Sequence, residues 1–222
     1  MSLSAEEQVE KTLIQGIFGG DYNVGDYLPP ERKLADQLGF SRPVIHKAII
    51  RLEGKGLVTI VPRQGVLVND YRESGKLELL ESLYEMFKWK IRIEMHRSIL
   101  EFVKENLTRV LLEALSKKTI SYKMNLMFDD EEDLFRWMHH FAMASQNVVY
   151  AMLFNEFKTG IINVSTFLMV EKLNDYQVIR MEIDDVIQRG EEAKLQPLIN
   201  ALFDTIEKHW IGRCEDEAQS RG

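Results

Sequence analysis

The hydrophobic pattern of the first 54 residues predicts three helices. Apolar residues at helical spacing mark an amphipathic helix over residues 5–18, which two glycines end. Proline fits the first turn of a helix, so a second helix is expected to begin near Pro30 and to end around Leu38, before a glycine. Ser41 is a good N-cap for a third helix, which continues through Gly54.

Short strand-like runs follow the third helix. Residues 57–61 and 66–69 are rich in β-branched residues and flank Pro62-Arg63-Gln64-Gly65, so they predict a hairpin. Two short helices that meet at a tight turn and precede a hairpin have the element order of a winged helix-turn-helix. We therefore expect residues 1–72 to form a domain that binds duplex DNA.

Helical periodicity replaces the strand-like alternation from Ser74 onward. It predicts helices at residues 76–104, 107–127, 130–145, 147–172, 174–189 and 192–212. The predicted fold is therefore mostly α, with an N-terminal winged helix-turn-helix followed by an all-α helical bundle over residues 73–222.

The distribution of charge supports a nucleic-acid partner that the net charge of −7 alone would argue against. Residues 1–72 hold nine Lys and Arg against nine Asp and Glu, so the remaining residues carry the whole excess of acid. Within residues 41–67 there are five basic residues and one acid, Glu53. A local excess of four positive charges is the kind of basic footprint that a DNA-binding module needs.

The composition is typical of a globular protein, with 45% hydrophobic and 28% charged residues. No apolar run reaches the roughly 18 residues that span a bilayer, and the N-terminus has no signal-peptide pattern. The single cysteine, Cys214, excludes an internal disulfide and fits a reducing compartment. We therefore expect a cytoplasmic protein without a membrane partner.

Two segments carry a family resemblance. Residues 28–35 read Leu-Pro-Pro-Glu-Arg-Lys-Leu-Ala, and residues 41–52 read Ser-Arg-Pro-Val-Ile-His-Lys-Ala-Ile-Ile-Arg-Leu. They resemble the Leu-Pro-x-Glu-Arg-x-Leu-Ala and Ser-Arg-x-x-Val-x-x-Ala-x-x-x-Leu patterns of the GntR family of bacterial transcription regulators, with Ile45 in place of valine. An all-helical second domain points to the FadR subgroup of that family. Residues 71–75 and 141–150 also resemble segments of the fatty-acid-metabolism regulators in this subgroup.

The resemblance implies a set of DNA-contacting residues. Arg42 would read a base, Arg32 would contact phosphate, and the tip of the wing would enter the minor groove. The full expected set is Arg32, Ser41, Arg42, Pro43, His46, Lys47, Arg63, Gln64 and Gly65. The family usually has arginine where His46 stands and a small polar residue where Pro43 stands, so the operator need not be that of close relatives. Because one recognition helix reads only a few base pairs, we expect a homodimer on a palindromic double-stranded operator.

The ligands of a metal site are missing from the second domain. Many effector domains of the FadR subgroup hold a metal through an Asp-x-x-x-His pair and two later histidines. Leu134 and Met138 stand at the first two of these positions, and no histidine stands near the later two. We therefore expect neither a metal nor another cofactor. No nucleophile, base and orienting group occur in a recognisable combination, so we expect no catalytic residue and no enzymatic activity.

The resemblance implies that residues 73–222 bind a small effector and form the dimer. Nine of the ten methionines lie beyond residue 75, and flexible thioethers adapt to a long aliphatic chain, although core packing is the simpler role for any single one. We favour a fatty acyl-CoA or related lipid-like acid, with contacts from Arg92, Leu134, Met138 and Trp210. Two alternatives stay open: a regulator that senses a small organic acid, with or without a metal, and a constitutive DNA-binding dimer without an effector.

Overall fold

The computed structural model of the protein describes residues 3–87, 91–117, 130–171 and 174–219. The chain divides into two compact units, Met1–Leu80 and Glu81–Gly222. It is mostly α-helical, with one two-stranded sheet among the described residues. The predicted fold class, a winged helix-turn-helix followed by an all-α bundle, is confirmed.

The first unit contains three helices, a hairpin and a short fourth helix, in the order α1 (Ala5–Gly19), α2 (Glu31–Leu38), α3 (Arg42–Gly54), β1 (Val58–Val61), β2 (Gly65–Val68) and α4 (Tyr71–Ser74). The strands are antiparallel, with Val58 opposite Val68 and Val61 opposite Gly65. The three helices and the hairpin were predicted to within one residue at each end, because helix caps and turn residues mark these boundaries in the sequence.

Hydrophobic stripes hold the first unit together. Both α1 and α2 pack against α3. Their buried apolar side chains are Val9, Leu13 and Ile14 of α1, Leu34 and Ala35 of α2, and Ile45, Ala48, Ile49 and Leu52 of α3. A capping box fixes the start of α1, since the Glu7 backbone N–H donates to the Ser4 hydroxyl (3.2 Å) and the Ser4 N–H donates to the Glu7 carboxylate (2.9 Å).

The remaining helices are α5 (Glu78–Phe87), α6 (Ile93–Ser116), α7 (Asp133–Ala144), α8 (Val148–Glu156), α9 (Lys158–Val170), α10 (Asn174–Arg189) and α11 (Glu192–Gln219). In the second unit, α6 packs against α7 and α11, α10 packs against α11, and α7 packs against α8 and α9. Large side chains fill this core, including Trp137, Phe141, Phe154 and Trp210. No helix of the described residues is long and apolar enough to cross a membrane.

Two predicted helices of the second unit are wrong. The predicted helix 76–104 is divided between α5 and α6, and α6 then continues through the predicted break at residues 105–106. The predicted helix 147–172 is divided at Phe157 between α8 and α9. Neither break carries glycine or proline, and helices without local stop signals end where packing against their neighbours ends them. The part of the predicted helix 107–127 beyond residue 117 lies outside the described residues.

Candidate DNA-binding surface and effector cavity

Helix α3 has two distinct faces. Ile45, Ala48, Ile49 and Leu52 are buried, as the helical periodicity predicted. The opposite face is exposed and carries the expected DNA contacts Arg42, Pro43, His46 and Lys47, together with Ile50. Ser41 occupies the N-cap position, but its side chain does not cap the helix. The exposed Ser41 hydroxyl therefore lies at the N-terminus of α3, where a phosphate oxygen would be favourably placed.

Most of the positive charge on α3 is already paired with acids of α1. Glu6 pairs with Lys47 at 3.3 Å. A hydrogen bond from the Glu6 backbone N–H to its own carboxylate lowers the pKa of that carboxyl, and the Lys47 ammonium lowers it further. Glu10 is fully buried, accepts a 2.5 Å hydrogen bond from Arg51 Nε and also pairs with Lys55. The local basic excess that the sequence indicated is therefore largely neutralised within the fold.

Three arginines of the first unit have no ion-pair partner among the residues that the structure describes. Arg32 lies on α2, Arg42 is the first residue of α3, and Arg63 lies at the tip of the hairpin. All three side chains are exposed. Exposed guanidinium groups are suited to phosphate oxygens and to the O6 and N7 acceptors of guanine.

His46 has a partner on the preceding helix. Its Nδ1 lies 2.8 Å from Oε1 of Glu31, the first residue of α2. The imidazole remains exposed, so the contact holds one ring nitrogen and leaves the other ring edge facing outward. The sequence identified both residues, Glu31 as part of the family pattern and His46 as a departure from it, but not the contact between them.

The tip of the hairpin is fixed by its turn and by a tyrosine. Arg63 has a left-handed backbone (φ 65°), and the Gln64 N–H donates to the Val61 carbonyl at 3.1 Å. The Tyr27 hydroxyl donates to the Gln64 side-chain carbonyl at 2.7 Å. Gly65 has φ 133°, and a Cβ there would lie 3.3 Å from the Tyr27 ring. The turn and the Tyr27 contact therefore hold the wing tip in place, and the Arg63 side chain is exposed there.

The base of the wing depends on a residue that the chemical motifs did not single out. Gly56 has φ 77°, and a Cβ there would lie 1.8 Å from the Ser74 carbonyl oxygen. Its own carbonyl accepts from Asn69 Nδ2 (3.1 Å) and from the Ser74 hydroxyl (2.8 Å). These bonds hold α4 and the end of β2 against the loop before β1. The signal in the sequence is the glycine between the third helix and the first strand.

Leu134 and Met138 lie together in the second unit, as expected. They line an apolar cavity of about 30 Å³ between α6, α7, α9 and α11, with Leu100, Val103, Phe157, Ile161, Phe203 and Ile206 also in its wall. Gly160 leaves room for the Tyr84 ring at this wall, since a Cβ there would lie 3.2 Å from it. A cavity of this size holds one or two water molecules, not a long aliphatic chain.

The other two expected effector contacts do not line this cavity. Arg92 is the exposed N-cap residue of α6. Trp210 is buried, and its Nε1–H donates to His96 Nδ1 at 3.3 Å. Tyr84 lines the cavity, and its hydroxyl also reaches His96 Nδ1 at 3.1 Å. Burial raises the pKa of Tyr84. Tyr84 is thus a residue of this cavity that the sequence did not identify, and His96 is its hydrogen-bond partner.

A buried charged cluster joins α7 and α10. Arg180 of α10 pairs with Asp133 of α7, and its guanidinium lies 5.1 Å from the centre of the Trp137 ring. The Trp137 Nε1–H donates to Asp184 at 2.8 Å. Burial raises the pKa of Tyr176, whose hydroxyl lies 3.4 Å from Arg180 Nη1. Across the described parts of the chain, no three His, Cys, Asp or Glu residues are grouped to hold a metal ion.

Comparison with known proteins gives one family match and several relatives. Residues 5–68 match the family described as "Bacterial regulatory proteins, gntR family". The chain is 29% identical over 170 residues to "HTH-type transcriptional regulator Mce2R" of Mycobacterium tuberculosis. The aligned region covers 71% of this chain and 70% of that protein. The chain is 23% identical over 159 residues to "Fatty acid metabolism regulator protein" of Serratia proteamaculans. This second aligned region covers 67% of this chain and 66% of that protein.

A solved structure shares the fold. It is described as "Lar controls the expression of the Listeria monocytogenes agr system and mediates virulence" and superposes with a TM-score of 0.64. The match covers 95% of this chain and 98% of that chain at 15% sequence identity. At this identity the likeness concerns the architecture, because a fold hosts many functions.

Proposed function

The N-terminal domain of this chain is a GntR-family helix-turn-helix domain, and from this premise we propose that the protein is a transcription regulator that binds a specific operator as a homodimer. Members of this family bind DNA operators and usually act as dimers. The observation that carries the proposal is the set of exposed, unpaired arginines on α2, α3 and the wing. Within the described residues of the first unit, these are the arginines that phosphate and guanine reach without first breaking an ion pair.

Each proposed contact has its own role. Arg42, at the start of α3, reads a base in the major groove, and Ser41 beside it binds phosphate. Arg32 contacts the backbone, as phosphate contacts fix the register of a domain on the duplex. Arg63, Gln64 and Gly65 form the wing tip that enters the minor groove. Lys47 reaches phosphate only by exchanging Glu6 for it, so its net contribution is small.

We infer the homodimer from the small number of base pairs that one recognition helix can contact. One recognition helix contacts only a few base pairs, so specific regulation requires two heads on a palindromic operator about one helical turn apart. We assign dimerisation to the helical bundle of residues 73–222.

Binding of the Arg42→Ala variant tests the DNA assignment. Operators are first selected from randomised duplexes with the wild-type chain. Loss of a base-reading arginine is expected to weaken binding to the selected operator by about fivefold to 150-fold, with an unchanged circular dichroism spectrum. The exposed Arg109 of α6 gives the matched control, and Arg109→Ala should bind as the wild type does. Equal binding by Arg42→Ala, or failure of the wild type to select any sequence, contradicts the proposal.

We further propose that the effector is a fatty acyl-CoA or a related lipid-like acid. The cavity beside Leu134 and Met138 has an apolar wall that includes Tyr84. A relative named "Fatty acid metabolism regulator protein" supports the same class. Entry of a long chain requires side chains such as Met138 to move, because the cavity of about 30 Å³ is far smaller than the ligand.

The small cavity favours a second candidate, a constitutive DNA-binding dimer without an effector. Thermal shift measurements distinguish the two, since a ligand that binds only the folded protein raises its melting temperature. Long-chain acyl-CoA, free fatty acids and citrate with zinc are the probes. Stabilisation by acyl-CoA that is lost in Leu134→Trp, which fills the cavity, supports the effector proposal. Stabilisation by citrate and zinc supports a metal-assisted sensor, and no shift with any probe supports the constitutive dimer.

A further inference from the structure

A stretch without charge runs from α7 into α8 in the second unit. Residues 137–155 contain no Asp, Glu, Lys or Arg, although 28% of the chain is charged. Burial explains only part of this composition, because seven residues of the stretch are exposed. They are the apolar Met143, Val148, Val149 and Met152 and the neutral Gln146, Asn147 and Asn155. We call these seven residues the neutral patch.

The apolar side chains of the neutral patch lie on adjoining helix ends. Met143 is in the last turn of α7, which packs against α8. The Asn147 side chain caps α8 by accepting a 3.2 Å hydrogen bond from the Val149 N–H. Val148 and Val149 precede Met152 by four and three residues, so the three side chains share one face of α8. The four apolar residues are 61–69% exposed, and a group of this kind marks an interaction site rather than an ordinary surface.

The charge of the chain favours a second copy as the partner. Residues 73–222 carry the whole net charge of −7, so two helical bundles repel each other across most of their surfaces. The neutral patch lets them approach without opposing like charges. Lys117, which bonds the Ser145 carbonyl between the two helices, is itself paired with Glu113 at 3.4 Å. An anionic membrane fits less well, because helices that lie on membranes carry Lys or Arg beside their apolar side chains.

We propose that the neutral patch is the centre of the homodimer interface, where it packs against the same patch of a second copy around a two-fold axis. Such an interface is self-complementary, since each copy contributes the same residues. The cores of protein interfaces are enriched in methionine and depleted of charge, and a polar rim surrounds them. A stable interface buries about 800 Å² on each partner, so residues around the patch also take part. The inference rests on the proposed function, which requires a homodimer but not this surface.

Helix α10 provides a matched control surface. Val178 and Met181 are 53% and 58% exposed, so a valine and a methionine are available there as well. Their surroundings differ, because the exposed acids Asp175, Glu182 and Asp185 lie on the same helix. A two-fold contact through α10 would bring these acids of both copies together, and like charges that face each other oppose association.

Sedimentation equilibrium of the full-length chain tests the neutral patch. Met152→Glu places a carboxylate in the interface, and the two-fold axis applies the change twice. The dissociation constant of the dimer should therefore rise about 100-fold or more. Met181→Glu makes the same change on α10 and should alter that constant by no more than about twofold. Both variants should keep the circular dichroism spectrum of the wild type, because both residues are exposed.

Cysteine cross-linking gives a readout that does not depend on weakening the dimer. Val148→Cys, Val149→Cys and Met152→Cys are oxidised one at a time, because a residue close to a two-fold axis meets its own counterpart. At least one of them should give a disulfide-linked dimer. Val178→Cys is the matched control, and the wild type is the blank for the buried Cys214. Neither should cross-link.

The outcomes separate this inference from the proposed function. In a dimeric wild type, an unchanged dissociation constant in Met152→Glu overturns the inference, and so does an equal rise in Met181→Glu. Failure of all three cysteine variants to cross-link in a dimeric protein also overturns it. A wild type that is monomeric with and without an operator duplex overturns the homodimer itself, and with it the proposed function.

Discussion

Replacing Glu10 by alanine tests how α1 holds the proposed recognition helix. The Glu10 carboxylate is fully buried, accepts a 2.5 Å hydrogen bond from Arg51 and pairs with Lys55. Both partners lie on the C-terminal half of α3 and its C-cap, so the carboxylate ties the end of that helix to α1. Its loss should loosen the packing of the two helices without removing any proposed DNA contact.

The magnitude follows from the burial of the two partners. A hydrogen bond to a charged group contributes about 1.5–3 kcal/mol, and breaking a buried ion pair costs about 3–5 kcal/mol. The Arg51 side chain is 45% exposed and keeps its ion pair with Glu7 at 3.8 Å in the variant. Solvent and Glu7 therefore offset much of the free energy that Arg51 loses with the Glu10 carboxylate. Lys55 is only 16% exposed, and its ammonium would lose a buried partner. We expect Glu10→Ala to lower the free energy of opening of the first unit by about 2–4 kcal/mol.

Amide hydrogen exchange over α1 and α3 measures this quantity, because it reports the opening of each segment separately. Glu6→Ala is the matched control, since the exposed Glu6–Lys47 pair should contribute about 1 kcal/mol or less. The double variant Glu10→Met with Lys55→Met replaces both buried charges by apolar groups of similar length. It should recover most of the loss, since it removes the buried carboxylate and its ammonium partner together.

Two results would refute this reasoning. If Glu10→Ala costs no more than Glu6→Ala, burial does not strengthen the Glu10 contacts. If the double variant is as unstable as the two single changes added together, the carboxylate and the ammonium do not act on each other.

Three further predictions concern the wing base, the Asp70 carboxylate and the cysteine. Gly56→Ala should lower the free energy of unfolding of the first unit by about 2 kcal/mol or more, measured in urea. The new Cβ would overlap the Ser74 carbonyl oxygen, and the backbone at this residue is left-handed. An unchanged free energy of unfolding would contradict this geometry. The side-chain hydrogen bond from Arg72 lowers the pKa of Asp70 to about 2, so its stabilising contribution is complete above about pH 4 and is lost as the pH falls towards 2. A carbon-detected NMR titration should give this value in the wild type, and an ordinary pKa would show that the pair does not form. Burial raises the pKa of the Cys214 thiol to about 12, so iodoacetamide at pH 8 should label it slowly in the folded protein and completely in denaturant. Equally fast labelling in both states would place the thiol at the surface.

The sequence predicted the first unit well because its signals are local. Ser41, the prolines and the glycines mark where helices and the hairpin begin and end, and periodicity identified the buried face of α3. The ion pairs could not be predicted in the same way. Arg51 and Glu10 are 41 residues apart, and only the packing of α1 on α3 brings them together.

For the second unit the sequence predicted the fold class but not where every helix ends. Its class, an all-α bundle, follows from sustained helical periodicity, but the division at Phe157 carries no local stop signal. Leu134 and Met138 are one helical turn apart, so their shared face was predictable, and they do line one cavity. Arg92 and Trp210 were assigned to an effector site through the resemblance alone, and neither lines that cavity.

By itself, the sequence determined the element order of the first unit, the buried and exposed faces of its helices, and the helical class of the second, because these depend on spacing along the chain. The tertiary structure decided which charges remain available. It pairs Lys47, Arg51 and Lys55 with α1, joins His46 to Glu31, and leaves Arg42 exposed. Electrostatic and hydrogen-bond partners depend on distance in space, and burial sets their strength, so neither is encoded in local periodicity.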